Sequence, residues 1–166
     1  QVAQDLHEEL PNLRQFATLS PMPGFRAWLR NQAGQGGLAA APPIRHAADA
    51  DPPRPAGDQL REPLQALAAH YLANQWEDGH ALDPVARFHL GNGARLERIN
   101  WLADSSTRGL RQSLGMMVNY VYVLDDVERN HESYVNRHVV ACSPAMEKLA
   151  RLAKGEWPES QPGTPA

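Results

Sequence analysis

One cysteine in 166 residues, Cys142, excludes an internal disulfide and a thiolate zinc cluster, and it points to a reducing compartment. No apolar run approaches the ~20 residues that span a bilayer. The first residues, Gln1-Val2-Ala3-Gln4-Asp5-Leu6, have neither a basic start nor an apolar signal core. Neither sign of charge dominates: the net charge is −3, so no basic field attracts nucleic acid or a membrane surface. These absences lead to the expectation of a cytoplasmic protein. Fourteen of the sixteen basic residues are Arg, in keeping with GC-rich, bacterial coding.

Common site motifs are missing as well. There are seven histidines, but no two lie at i,i+4 on one helix and no HExxH occurs, so no metal site is expected. Gly34-Gln35-Gly36-Gly37 matches neither a P-loop nor a dinucleotide fingerprint, and reads as a linker. G-x-S-x-G is absent, which leaves a hydrolase elbow unsupported.

What is present fits one α+β domain with enough material for a core. Val2, Leu6 and Leu10 stand at helical spacing up to Pro11. That helix begins without a cap, as if the chain were cut from something longer. Arg14 to Leu19 reads as a strand, Ser20-Pro21-Met22-Pro23-Gly24 as a stiff turn, and Gly24 to Asn31 as a helix with Phe25, Trp28 and Leu29 on one face. In residues 34–57, sixteen of 24 are Gly, Ala or Pro, which predicts a mobile loop or a weakly structured insertion. A helix follows over 59–75, with one apolar stripe from Leu60 to Leu72 and Pro63 in its first turn. Ala94 to Trp101 alternates as a strand, and Asp104-Ser105-Ser106 caps a short helix ending at Gly115. Met116 to Leu124 is a strand with Val118, Tyr120 and Tyr122 on one face. Ser143-Pro144 opens a last helix with Met146, Leu149, Ala150 and Ala153 inward, stopped by Gly155. Residues 156–166 read as a disordered polar tail, which sets the domain at 1–155.

The segment Asp83-Pro84-Val85-Ala86-Arg87-Phe88-His89-Leu90-Gly91-Asn92-Gly93-Ala94 carries the most chemistry. Asp83 is a good N-cap, Pro84 suits the first helical position and Gly91 supplies the stop. His89 therefore falls in the last turn. There the helix dipole favours imidazolium and burial opposes it, a balance suited to proton transfer. Read locally, the plainer role for His89 is capping carbonyls. Ser20, at a strand end before a proline-stiffened turn, has either a fixed hydroxyl or a helix-capping role. Tyr120 and Tyr122 offer hydroxyls or core packing. Asn100 and Asn119 need partners if buried. Asn92 fits a left-handed turn between two glycines.

Four stretches in order resemble the C-terminal catalytic region of malonyl-CoA decarboxylases. They are Thr18-Leu19-Ser20-Pro21-Met22-Pro23-Gly24-Phe25 with Trp28-Leu29, Asp83 to Leu90 with Asn92-Gly93-Ala94, Arg98 to Asp104 with Ser106, Arg108-Gly109 and Ser113, and Met117 to Tyr122. The resemblance implies a partial GNAT-like acyl-CoA fold, with a mixed sheet and flanking helices. It implies conversion of malonyl-CoA to acetyl-CoA and CO2 without metal or organic cofactor. Ser20 and His89 would form the catalytic pair and Tyr122 would support it. A glycine-containing pyrophosphate loop, a glutamate and a helical domain that assembles a homo-oligomer would lie upstream of residue 1, leaving a weak CoA grip here. The rivals are an acyl-CoA N-acyltransferase on the same scaffold and a truncated, non-catalytic assembly module.

Overall fold

The computed structural model describes residue 5, residues 8–10 and residues 12–155. Val2 and Leu6 of the expected first helix, and the tail 156–166, lie outside the described residues. Asp5, Glu8 and Glu9 are helical.

Three strands form the main sheet: β1 (Gln15–Pro21), β4 (Arg95–Asn100) and β5 (Met117–Val123), with β5 in the centre. Both pairings are antiparallel, with Ser20 opposite Val118, Thr18 opposite Tyr120 and Phe16 opposite Tyr122. Beyond β4 the sheet is extended by one parallel bridge between Leu96 and Cys142. A two-stranded hairpin, β2 (Trp76–Glu77) and β3 (His80–Ala81), stands apart.

The alternation expected over 94–101 breaks at a β-bulge. Leu96 faces Tyr120 and Arg98 faces Asn119, so Glu97 is the extra residue. The bulge brings Leu96 and Ile99, which have opposite parity in sequence, onto one buried face.

Seven helices are described: α1 (Phe25–Gln32), α2 (Pro42–Asp49), α3 (Arg61–Asn74), α4 (Pro84–Gly91), α5 (Thr107–Ser113), α6 (Leu124–Arg137) and α7 (Pro144–Leu152). Helix α3 is the hub. Leu64, Ala66, Leu67, Ala68, Ala69, Tyr71, Leu72 and Ala73 are all buried, so it is covered nearly all round rather than along one stripe. Its alanines allow close approach, and Gln65 Nε2 donates to the Ile99 carbonyl of β4.

Residues 34–57 depart from the expected loop. Two 3-10 turns (Ala33–Gln35 and Leu38–Ala40) lead into α2. Leu38, Ala39, Ala41, Ile44 and Ala48 join the main core. The small residues that signal disorder in composition here permit tight packing, and Pro42 and Pro43 occupy the first turn, where their missing N–H groups cost nothing. Arg26 of α1 donates to the Ala48 and Ala50 carbonyls at 2.9 and 3.0 Å, satisfying the end of α2.

Helix α6 has no counterpart in the sequence reading because Tyr134 is its one buried residue. It is held by polar contacts with the end of α4: Asn130 Nδ2 donates to the Gly93 carbonyl and His131 Nδ1 to that of Gly91. The left-handed position expected at Asn92 belongs to Gly93, with φ +89°, while Asn92 has φ −91°. A Cβ at Gly93 would collide with the Val127 carbonyl of α6.

Ile44 is fully buried. Ile44→Ala is therefore expected to destabilise the fold by about 2–5 kcal/mol, read as a fall in the urea midpoint. A change within 0.5 kcal/mol, roughly the scale of surface substitutions, would return the segment to the loop reading.

Candidate active site

The site forms where α4 crosses one face of the sheet. Ser20 and Tyr122 project from β1 and β5 on the same side, and His89 comes down between them from the last turn of α4. Ser20 Oγ lies 3.2 Å from His89 Nε2. The Tyr122 hydroxyl lies 2.7 Å from His89 Nδ1. Residues 69 positions apart (Ser20 and His89) and 33 apart (His89 and Tyr122) thus share one hydrogen-bonded line.

What aims His89 is its own helix start. Asp83 Oδ1 accepts from the Val85 and Ala86 amides, each at 3.0 Å, as the sequence predicts for an N-cap. Oδ2 accepts from the Tyr71 hydroxyl of α3 at 3.0 Å. The Gly24 amide, in the turn that follows Ser20, faces this carboxylate and favours its charged form. One carboxylate therefore ties α4 to α3 beside the Ser20 turn. It is fully buried, and burial pushes its pKa up while these four groups pull it back. Gly24 must be small, since a Cβ there would stand 2.6 Å from the Tyr71 hydroxyl.

Aromatic rings wall the imidazole. The Tyr120 ring stacks on His89 with centroids 4.6 Å apart at 25°, and Phe16 stacks on Tyr122 at 4.6 Å and 8°. Phe88 meets the imidazole edge-on and is itself 51% exposed, beside the half-buried His89. Burial lowers the His89 pKa below its ordinary 6.5, so the ring is neutral at neutral pH. Burial also pushes the Tyr122 phenol up to about 12, so it is protonated in the resting site at neutral pH.

Sequence reasoning missed three contributors. Thr18 Oγ1 lies 3.0 Å from Ser20 Oγ. Tyr120, left between a site and a core role, is the residue that stacks on the imidazole; its hydroxyl is buried without a partner among the described residues. Asp83, read only as a cap, also fixes the site. The period-two spacing of 18 with 20 and of 120 with 122 was the available signal, because it puts each pair on one strand face. Asn100 and Asn119 do find partners: Asn100 Nδ2 donates to Asn119 Oδ1, and Asn119 Nδ2 to the Thr18 carbonyl, an amide ladder across all three strands. Among the described residues, no three His, Cys, Asp or Glu side chains gather as a metal site. Nor is any described helix long and apolar enough to cross a membrane.

Two outcomes follow from this geometry. Asp83→Ala is expected to cost about 2–4 kcal/mol, combining a lost cap with stranded donors, as seen in chemical denaturation. The lowered His89 pKa means the unfolded chain binds the proton more readily. Stability is therefore lost as pH falls from 6.5 through the lowered folded value. His89→Gln should flatten part of that loss in urea midpoints taken from pH 7.5 down to about 4.5, a range bracketing the ordinary histidine pKa; an unchanged slope would contradict the buried, neutral ring.

The chain is similar in sequence and fold to known proteins. Residues 1–160 match the family model of the malonyl-CoA decarboxylase C-terminal domain. The mitochondrial malonyl-CoA decarboxylase of Rattus norvegicus is 36% identical over 89% of this chain, and that of Anser anser anser is 34% identical over 91%. The chain spans about a third (35%) of the length of each. Crystal structures of malonyl-CoA decarboxylases from Rhodopseudomonas palustris and Agrobacterium vitis superpose with a TM-score of 0.74 each, at 43% and 45% identity. Each superposition covers 90% of this chain, and 36% and 39% of the respective neighbour. A match over nearly the whole chain, on a fold that brings the resembling stretches onto one sheet face, makes this protein a member of the malonyl-CoA decarboxylase family, corresponding to its C-terminal domain.

Proposed function

We propose that the chain carries the reacting groups for decarboxylation of malonyl-CoA to acetyl-CoA and CO2, with Ser20 and His89 as the catalytic pair and Tyr122 as their support. The observation that carries this reading is the unbroken Tyr122–His89–Ser20 line at 2.7 and 3.2 Å, exposed to solvent on the His89 side.

The chemistry asks for those groups. When the bond between the carboxylate and the α-carbon breaks, its electron pair moves into the thioester as an enolate, and CO2 leaves. The thioester is the electron sink. The protein must offer a donor to the enolate oxygen and return one proton to the α-carbon. A serine hydroxyl backed by a neutral imidazole does both: it donates a hydrogen bond without carrying charge into the site, and the imidazole resupplies it. The carbanion is a far stronger base than alkoxide or phenolate, so the proton runs downhill to carbon. A solvent proton then reloads the line. The half-exposed Phe88 beside His89 suits contact with the apolar arm of an acyl-CoA. The homo-oligomer and the CoA grip of the full-length protein belong to this same reading, supplied by regions that the resemblance places outside residues 1–166.

Ser20→Ala and His89→Ala are each expected to lower CO2 release from malonyl-CoA by ~100- to 10,000-fold, with Tyr122→Phe less affected. Activity of Ser20→Ala equal to wild type would sink the assignment. Acyl transfer to an amine without CO2 would favour the acyltransferase instead. If the chain alone is inactive, the assay is repeated in the full-length protein with the same substitutions.

A further inference from the structure

The hydrogen-bonded line does not end at Ser20. Thr18 sits two residues earlier on β1, on the same face, with Oγ1 3.0 Å from Ser20 Oγ. The line is therefore Tyr122, His89, Ser20, Thr18, and its proton order can run in either of two senses. In one, Tyr122 donates to Nδ1, Nε2–H donates to Ser20 Oγ, and the Ser20 proton points to Thr18 or outward. In the other, Thr18 donates to Ser20, Ser20 donates to Nε2, and Nδ1–H donates to the Tyr122 oxygen. Only the first leaves the Ser20 O–H free of the imidazole.

Resting on the decarboxylase reading, we infer that Thr18 is a positioning residue that sets the polarity of this line, receiving the Ser20 proton at rest and so keeping His89 in its Nε2–H tautomer. The two ends cooperate. At rest Tyr122 holds its proton and sits 2.7 Å from Nδ1, a short contact that suits a phenol donating to imidazole nitrogen. Thr18 gives Ser20 somewhere else to donate. When an acyl-CoA enters, the Ser20 O–H turns from Thr18 to the developing enolate, and the Thr18 hydroxyl reverses to donate into the vacated Ser20 lone pair. Ser20 Oγ then accepts from both His89 and Thr18 while giving its own proton to the substrate. Bond-making is balanced: one O–H breaks at Ser20, one C–H forms at the α-carbon, and Nε2–H passes to Ser20 as Tyr122 passes its proton to Nδ1. Solvent restores the proton after product leaves. Without the Thr18 hydroxyl, the best remaining acceptor for Ser20 is Nε2 itself, and the line inverts.

Thr18→Val keeps the branched shape a strand favours and removes only the hydroxyl; Thr18→Ser keeps the hydroxyl. The first readout needs no activity: long-range proton–nitrogen NMR of the His89 ring at neutral pH, with unfolding midpoints confirming a folded chain. Wild type and Thr18→Ser are expected in the Nε2–H tautomer, and Thr18→Val shifted to Nδ1–H. An Nδ1–H wild type, or a Thr18→Val ring identical to wild type, overturns the inference. The second readout is turnover of malonyl-CoA by the full-length protein. Thr18→Val should lower kcat by about 10-fold, the scale of one lost hydrogen bond, with KM unchanged and Thr18→Ser restoring it. Equal kcat values for the Val variant and wild type also overturn it. Absence of CO2 release in wild type overturns the decarboxylase reading instead, and the NMR result still decides the role of Thr18.

Discussion

The site depends on one buried carboxylate. Asp83 gathers the Val85 and Ala86 amides and the Tyr71 hydroxyl, so the start of α4 is anchored to α3, with the Gly24 amide of the Ser20 turn facing the same carboxylate. An eight-residue helix such as α4 has too few turns to be stable alone. Its direction is set by what holds its start, and His89 lies six residues, about 9 Å of helix, beyond Asp83. A small tilt at Asp83 would carry the imidazole out of reach of Ser20. The Tyr71 hydroxyl that Asp83 holds also packs against Gly24, in the turn that ends Ser20's strand, so both members of the pair lie around one point.

The sheet supplies the other coordinate. Thr18 and Ser20 stand opposite Tyr120 and Val118 across an antiparallel pair, so alternate residues of two strands present hydroxyls and rings to one face. On the other side, the Asn100–Asn119–Thr18 amide ladder crosses all three strands and ties their register at the level of the site. A one-residue slip of β1 would move both hydroxyls to the opposite face. The aromatic walls strip water from the imidazole, and that burial lowers the His89 pKa.

Local chemistry made much of this legible. The cap at Asp83, the proline at the start of α4, the cap at Ser106 and the cap at Ser143 all act through contacts within three residues, and each bonds as its sequence pattern predicts. The misreadings have a common cause. Composition marks 34–57 as unstructured, yet Ile44 and Ala48 are buried because small residues let α2 lie close against α1. Helix α6 is polar along most of its length and is held by side chains reaching the carbonyls of Gly91 and Gly93, a signal that periodicity cannot carry. The faces of β4 change parity at the Glu97 bulge, which depends on its pairing with β5.

The sequence by itself determined where the capped helices α4, α5 and α7 start, that Tyr120 and Tyr122 share a strand face, and that His89 ends a helix, because capping and alternation are interactions between near neighbours. It also carried the family resemblance, through motifs that survive as residue strings. Only the tertiary structure decided that Ser20, His89 and Tyr122 meet, that Thr18 extends their line, and that Asp83 ties α4 to α3. Those contacts join residues dozens of positions apart, and their distances follow from how α3 and α4 pack on the sheet.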